Sequence, residues 1–107
     1  MKTYELEFHE LALKEWKKLD GSIKAQLHKA LAKRLQAPHV PAARLRGDLQ
    51  NTYKIKLRDV GYRLVYEVID HRLVVLVIAI GRRDHAEAYL SAVKRNSRSE
   101  EHTSELQ

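Results

Sequence analysis

Cysteine is absent from this 107-residue sequence, and glycine and proline are scarce, with four and two residues. Without cysteine the chain has neither a disulfide framework nor a thiolate metal site. The glycines, Gly21, Gly47, Gly61 and Gly81, lie too far apart to form a glycine-rich phosphate loop. The six histidines show no spacing typical of a metal centre. The sequence therefore predicts neither a cofactor nor a metal ion.

Long apolar runs are also missing. No run approaches the roughly 20 residues of a membrane-spanning helix, and the first residues lack the apolar segment of a secretory signal. We therefore expect a soluble cytoplasmic protein with no membrane partner. The carboxylates near the predicted strands, Asp59, Glu67 and Asp70, fall in turns or face different neighbours, so a two-carboxylate hydrolase is not supported.

Negative charge is in the minority: 20 Lys and Arg against 14 Asp and Glu give a net charge of +6. Residues 96–107 hold one Arg and three Glu, which leaves +8 on residues 1–95. This excess indicates a nucleic acid or an acidic protein as partner. We assign residues 1–95 to a single domain. Residues 96–107 are polar and aperiodic, are predicted to be disordered, and have the abrupt composition of a segment foreign to the domain.

Two amphipathic helices are predicted after a short strand over Tyr4–Phe8. Helical spacing runs from Glu10 to Leu19, and Asp20-Gly21 is typical of a helix end with a left-handed cap. Ser22 is expected to cap the second helix, which has one apolar stripe. The stripe consists of Ile23, Leu27, Ala30, Leu31 and Leu35. The pair predicts a helical hairpin.

Three strands are predicted after a loop that begins at Pro38 and reaches Asn51. They are Thr52–Leu57, Tyr62–Ile69 and Arg72–Ile80, separated by turns short enough for hairpins. The unbroken apolar sequence of the third strand predicts a central position in the sheet, covered on both faces.

The chain after the third strand is expected to turn at Gly81 and to form a last short helix over Ala86–Lys94. The fold class is α+β. It is a small, mainly antiparallel β-sheet packed against an N-terminal helical hairpin, in the order β-α-α-β-β-β-α.

Apolar residues alternate with cations in Tyr53-Lys54-Ile55-Lys56-Leu57-Arg58. Successive strand side chains point to opposite faces, so Lys54, Lys56 and Arg58 line one face while the apolar residues enter a core. Like charges two residues apart repel, and a core does not require them. The pattern therefore predicts that a polyanion, which we interpret as RNA, lies across this face.

Further residues are expected to converge on the same face. Antiparallel pairing brings Arg63 next to Lys54 and Lys56, and the chain after the third strand returns Arg83 and Tyr89 to the sheet. Two other interpretations remain open. Exposed cations are ordinary on a solvated sheet face, and Tyr89 could be a core aromatic.

At these residues the chain resembles the RelE family of bacterial toxins, which are ribosome-dependent messenger-RNA endonucleases. The resemblance runs from about Tyr4 to Arg95 and is most specific from Tyr53 to Tyr66. Its motifs are Ala12-Leu13-Lys14-Glu15-Trp16, Leu45-Arg46-Gly47, Tyr53-Lys54-Ile55-Lys56-Leu57-Arg58, Gly61-Tyr62-Arg63-Leu64-Val65-Tyr66 and Val93-Lys94-Arg95.

The resemblance implies cleavage of messenger RNA in the ribosomal A site by attack of a ribose 2′-hydroxyl on the adjacent phosphate, without a metal ion. It also implies a cognate antitoxin as partner, and contact with operator DNA only through the toxin-antitoxin complex. The implied catalytic residues are Lys54, Lys56, Arg63, Arg83 and Tyr89. Arg44, Arg46, Arg58 and Arg82 are expected to bind RNA and the ribosome.

Crowded cations depress one another's proton affinity, so we expect Lys54 to be partly neutral and to act as general base. Arg63 and Lys56 are expected to stabilise the charge of the transition state. Arg83 would assist the leaving 5′-oxygen, and Tyr89 would stack on or orient a nucleotide.

Two other functions fit the same fold or charge. A toxin of the ParE type, which acts on DNA gyrase, shares the fold but would not need Lys54, Lys56, Arg63 and Arg83 together. A plain RNA-binding module would contact phosphates without chemistry. His85 departs from the family pattern. We interpret it as a surface histidine in preference to a catalytic acid or base.

Overall fold

The computed structural model describes residues 3–45, 51–82 and 92–95. Its strands and helices, in chain order, are β1 (Glu5–Phe8), α1 (Glu10–Lys17), α2 (Gly21–Gln36), β2 (Thr52–Leu57), β3 (Tyr62–Ile69) and β4 (Val74–Arg82). One-turn 3₁₀ helices cover Pro41–Ala43 and Asp70–Arg72. Residues 92–95 are helical. Most of the predicted last helix and all of residues 96–107 lie outside the described residues.

The four strands form one sheet in the order β1-β4-β3-β2. β2 pairs with β3 and β3 with β4 in antiparallel fashion, as the short connections predicted. β1 lies parallel to β4 at the edge of the sheet. β4 is therefore an interior strand, which confirms the prediction made from its unbroken apolar sequence. The α+β class is confirmed, with a sheet that is mixed and mainly antiparallel.

Both helices cover the same face of the sheet because their apolar stripes point towards it. Ala12 of α1 and Leu27 and Leu31 of α2 are buried against the strands. Burial of a leucine side chain contributes about 1.5–3 kcal/mol, so α2 is held mainly by this stripe. Within the described part of the chain, no helix is long and apolar enough to cross a membrane.

A second, smaller apolar cluster lies on the other face of the sheet. It contains Val65, Ile78, Ala79 and Ala92, with Leu45 packed against it. Ala92 belongs to the helical residues near the C-terminus, so this face is partly covered by the end of the domain. β4 is thus buried on both faces.

The start of α2 differs from the sequence prediction. Asp20 is the N-cap residue, and its side chain accepts a hydrogen bond of 3.0 Å from the backbone N–H of Ser22. Ser22 is therefore inside the helix, and Gly21 is its first residue with no left-handed conformation. The two contacts from Ser22 lower the pKa of the Asp20 carboxyl. A carboxylate also gains from the helix dipole, which favours Asp20 over Ser22 as the cap.

The hairpin between β2 and β3 is confirmed. Gly61 closes it with a φ of 68°, and its N–H donates to the carbonyl of Leu57 at 2.9 Å. A positive φ carries little steric cost only for glycine, which explains the residue at this position.

The connection between β3 and β4 is longer than predicted. Asp70–Arg72 form a 3₁₀ turn, and Leu73 has a left-handed φ of 54°, so β4 begins at Val74. The prediction that Gly81 interrupts the strand is also wrong. Gly81 pairs with Arg63, and β4 continues through Arg82.

Candidate active site

Lys54, Lys56 and Arg63 lie on the face of the sheet opposite α1 and α2. On β2, the alternate residues Tyr53 and Ile55 are only 5% and 4% exposed and belong to the core under the helices. Lys54 is half-buried and Lys56 is exposed on the opposite face. Lys56 is the direct cross-strand partner of Arg63. The strands therefore bring Lys54, Lys56 and Arg63 together, and we term these three residues the cation cluster.

A β-bulge sets which residue of β4 stands beside the cation cluster. Val65 pairs with Ala79 and Tyr66 with Val77, so Ile78 is an extra residue in β4. With this residue inserted, Gly81 is the partner of Arg63 on the face of the cluster. Because glycine has no side chain, β4 presents only its backbone beside Arg63 at this position.

An ion pair between Glu15 and Arg95 holds the backbone of the bulge in β4. The carboxylate of Glu15 on α1 accepts from the backbone N–H of Ile80 at 3.1 Å and from Arg95 at 2.9 Å. Arg95 also donates to the carbonyl of Ile78 at 3.0 Å. These backbone groups lie beyond the last residue of β1 that pairs with β4. Glu15 and Arg95 thus replace the missing ladder bonds and hold the shape of β4 next to the site.

Repulsion between neighbouring cations lowers the pKa of Lys56. The ammonium of Lys54 is the largest cause that lowers the pKa of Lys56, followed by desolvation. Arg63 and Arg58 lower this pKa further. The cluster therefore makes Lys56 easier to deprotonate than an isolated lysine and favours the binding of an anion.

The other predicted cations are spread over different parts of the surface. Arg58 lies in the turn after β2, near enough to lower the pKa of Lys56. Arg44 forms an isolated bridge with Tyr53, and Arg82 pairs with Tyr62. Tyr53 and Tyr62 both pack into the core under the helices. Arg44 and Arg82 thus share the helix side of the sheet and stand apart from the cation cluster.

Several predicted site residues lie outside the described residues. They are Arg46, Arg83, Tyr89 and His85. In the described part of the chain, no group of three His, Asp or Glu side chains converges as metal ligands would.

Two residues near the cation cluster were not anticipated from the sequence. Arg34 of α2 donates to the carbonyl of Lys54 at 3.2 Å. Glu67, two positions beyond Val65 on β3 and therefore on the same face, is only 6% exposed. The position of Arg34 beside Leu31 and Leu35 at the edge of the apolar stripe could have marked it as half-buried, but its partner depends on the tertiary fold.

Similarity to known proteins identifies the family. The sequence model described as the ParE toxin of type II toxin-antitoxin system, parDE, matches residues 6–87. The chain is 52% identical over 93 residues to the mRNA interferase toxin RelE of Escherichia coli, covering 87% of this chain and 97% of that protein. The chain belongs to the RelE/ParE toxin family. This confirms the family predicted from the motifs between Tyr53 and Tyr66.

Solved structures of the RelE/ParE family share this fold. A free E. coli RelE carrying two arginine-to-alanine substitutions has a TM-score of 0.81 and 50% identity, over 88% of this chain and 98% of that one. RelE in the intact E. coli RelBE toxin-antitoxin complex has a TM-score of 0.72 and 52% identity, over 74% of this chain and 95% of that one. The sheet that carries the cation cluster is therefore the architecture of a RelE toxin.

Proposed function

We propose that this protein is the toxin of a type II toxin-antitoxin system and that it cleaves messenger RNA in the ribosomal A site, which inhibits translation. The observation that carries the proposal is the cation cluster, in which Lys54, Lys56 and Arg63 stand together on the sheet face opposite α1 and α2. The 52% identity to a protein named mRNA interferase toxin RelE supports it.

The proposed reaction is a transesterification within the RNA. A ribose 2′-oxygen attacks the adjacent phosphorus, its proton passes to a base, and the bond from phosphorus to the 5′-oxygen breaks. The products are a 2′,3′-cyclic phosphate and a 5′-hydroxyl, so no water, cofactor or metal ion enters the step. The phosphorane-like transition state carries more negative charge than the ground state, and fixed cations stabilise it selectively.

Lys56 is the proposed general base. Its pKa is lowered chiefly by Lys54, so at neutral pH a larger fraction is neutral than for an ordinary lysine. The sequence-based prediction named Lys54 as the base, and the lowered pKa of Lys56 is the reason why we propose Lys56 instead. Lys54 and Arg63 then act as charges that depress the pKa of the base and stabilise the phosphorane.

The remaining roles are proposed from the family resemblance. Arg83 protonates or stabilises the leaving 5′-oxygen, and Tyr89 orients or stacks on a nucleotide. Binding to RNA and the ribosome is assigned to Arg44, Arg46, Arg58 and Arg82. The register of β4 and the bridge at Tyr53 place Arg82 and Arg44 on the helix side, so these two would contact the ribosome away from the scissile phosphate.

A cognate antitoxin is the proposed protein partner, with operator DNA contacted only through the complex. The structures of RelE include the RelBE complex and RelE bound to a peptide of the antitoxin RelB, which supports this assignment. Ribosomes and messenger RNA place the proposed action in the cytoplasm. Coexpression with the adjacent gene should restore growth, whereas a protein that is harmless alone would contradict the toxin assignment.

The decisive experiment maps RNA 5′ ends on translating ribosomes after addition of the protein. We expect cuts within the A-site codon that carry a 5′-hydroxyl, and far slower cleavage of the same RNA without ribosomes, because a site without a strong acid and base needs its substrate held in line. Lys56→Met protein serves as the matched control. Rapid cleavage of naked RNA that ribosomes do not change would contradict the proposal.

A toxin acting on DNA gyrase is the second candidate, because the family model that matches residues 6–87 is that of ParE. A decatenation assay separates the two. Inhibition of gyrase without any cut RNA would favour the ParE type. RNA affinity that falls steeply with salt, again without cut ends, would indicate a binding module.

A further inference from the structure

Arg34 connects α2 to the main chain of the strand that carries the cation cluster. Its Nη1 atom donates to the carbonyl oxygen of Lys54 at 3.2 Å and to the hydroxyl of Tyr66 at 2.9 Å. The same hydroxyl donates to the carbonyl of Pro38 at 2.7 Å. One guanidinium therefore ties together α2, β2, β3 and the start of the loop after α2.

The carbonyl of Lys54 belongs to the outer edge of β2. On this edge Thr52 accepts a hydrogen bond of 2.9 Å from the N–H of Leu45, and Arg44 bridges Tyr53. Among the described residues, no strand pairs with positions 54–57 on this side. Edge segments with few ladder bonds open more readily than interior strands. The bond from Arg34 replaces a ladder bond at a residue that carries the proposed chemistry.

The support for Arg34 is itself rigid. Tyr66 is fully buried, and its ring stacks on that of Tyr53 at 5.6 Å between centroids. Burial raises the pKa of the Tyr66 hydroxyl, which stays protonated and available to donate to Pro38. The guanidinium carbon of Arg34 lies 5.7 Å from the centre of the Tyr66 ring. A planar cation held by an aromatic ring and two acceptors is well suited to fix a backbone position.

We infer that Arg34 is a positioning residue for RNA cleavage, because its bond to the Lys54 carbonyl fixes Lys54 and Lys56 relative to Arg63. The inference rests on the proposed nuclease function. Arg34 projects from the helical layer, whereas the cluster lies on the opposite face, so it acts through the strand and not on the RNA. Proton transfer and charge stabilisation depend steeply on geometry, so a loosened strand reduces the rate more than the affinity.

The test compares two variants that share the loss of the Arg34–Tyr66 bond. Arg34→Met keeps an unbranched apolar stem but loses both hydrogen bonds, whereas Tyr66→Phe leaves the bond from Arg34 to Lys54 in place. We expect Arg34→Met to slow single-turnover cleavage on programmed ribosomes about 10- to 100-fold at unchanged ribosome affinity. Tyr66→Phe should lose thermal stability with little change in rate. Arg34→Lys, which keeps a charged donor, should recover part of the rate.

Amide hydrogen exchange of Ile55, whose backbone faces β3, gives a readout that does not depend on activity. Exchange should be faster in Arg34→Met than in Tyr66→Phe, measured at a temperature where both are fully folded. The rise of the cleavage rate with pH should also move to higher pH in Arg34→Met, because Lys54 and Lys56 can then move apart.

The inference is overturned if Arg34→Met loses rate and ribosome affinity equally, or loses neither. It is also overturned if Tyr66→Phe slows cleavage as much, since the effect would then belong to the packing around Tyr66. If the unmodified protein does not cut ribosome-bound RNA, the proposed function fails instead. Hydrogen exchange of Ile55 still decides in that case whether Arg34 holds the strand.

Discussion

Lys56 and Arg63 face each other as direct cross-strand partners on β2 and β3. Like charges in this arrangement destabilise a sheet, and Lys54 on the same face adds to the repulsion. Folding does not require a charge at the exposed position 56, where an uncharged residue would also fit. A local conflict of this kind is typical of a functional site, and under the proposed function a bound polyanion would relieve it.

The pH dependence of cleavage should identify the base. In the proposed mechanism a neutral Lys56 accepts the 2′-proton, so the single-turnover rate should rise with pH until the lowered pKa of Lys56 is passed. Lys54→Met removes the largest cause of that lowering, so the rise should move to higher pH while some activity remains. Lys56→Met should abolish the rise. Rate profiles of the two variants that coincide would contradict the assignment.

The stability of the cluster variants should change in the opposite direction to activity. Because folding lowers the pKa of Lys56, the protonated side chain opposes folding at every pH below that lowered value. This penalty disappears as pH rises through the folded pKa towards the unfolded value of about 10.4. Lys56→Met should therefore raise Tm at pH 7, and raise it less at pH 10 or in high salt.

Lys18→Met provides the control for this measurement. Lys18 is an exposed lysine at the C-cap of α1, in the helical layer on the other side of the sheet. Its replacement should leave Tm nearly unchanged at each pH. An equal rise in Tm for both variants would show that the effect follows from net charge and not from the cluster.

Glu15 should matter more to stability than other acidic residues with an arginine partner. Glu15→Ala leaves the N–H of Ile80 without its acceptor and the 13% exposed side chain of Arg95 without its carboxylate partner, so we expect a loss of about 2–3 kcal/mol in the free energy of unfolding. Glu7→Ala breaks a pair whose side chains are 53% and 40% exposed, and should lose less than about 1 kcal/mol. Urea unfolding at pH 7 measures both values. Similar losses would mean that the bulge in β4 does not depend on Glu15.

The strands were predictable where the sequence alternates. Thr52–Leu57 has the predicted bounds because apolar and polar residues alternate along it. Tyr62–Ile69 also has the predicted bounds, although it does not alternate, because turn residues flank it at Gly61 and Asp70. The unbroken apolar run of β4 contains no alternation, so the extra residue at Ile78 leaves no mark in the sequence. The face of Arg82 could not be inferred for the same reason.

The N-cap of α2 and the residue that supports the cation cluster could not be predicted, because the sequence offers several equivalent candidates for each. Asp20 and Ser22 are both good N-cap residues, so the sequence alone allows α2 to begin after either of them, two residues apart. Arg34 is one of several cations on α2, and only the packing of α2 against β2 selects it as the partner of Lys54. Local patterns therefore predicted the cation cluster but not what holds it.

Stability at acidic pH should depend on Asp70. Its carboxylate accepts a hydrogen bond of 2.7 Å from the hydroxyl of Tyr4 and lies 3.1 Å from His39, and the contact with Tyr4 is the largest cause that lowers the pKa of Asp70. A lowered folded pKa gives stability that is present above the unfolded value of about 3.9 and is lost as pH falls through the folded value. Asp70→Asn should therefore destabilise the protein at pH 7 but not at pH 2.

Tyr4→Phe tests the stated cause. The pKa of Asp70, followed by NMR, should rise towards its ordinary value in this variant. If the difference in stability between Asp70→Asn and the unmodified protein is the same at pH 7 and pH 2, the charge of Asp70 does not contribute.

Arg83 and Arg58 should separate catalysis from binding. A simple electrostatic binder would lose similar affinity when either becomes Ala, with the salt slope reduced by about one unit at most. A catalyst distinguishes them, because the proposed contact of Arg83 forms in the transition state. We expect Arg83→Ala to slow single-turnover cleavage by orders of magnitude at nearly unchanged ribosome binding. Arg58, in the turn after β2, should act chiefly on binding. Equal, modest losses of cleavage rate and ribosome binding in the two variants would indicate that these cations only bind phosphate.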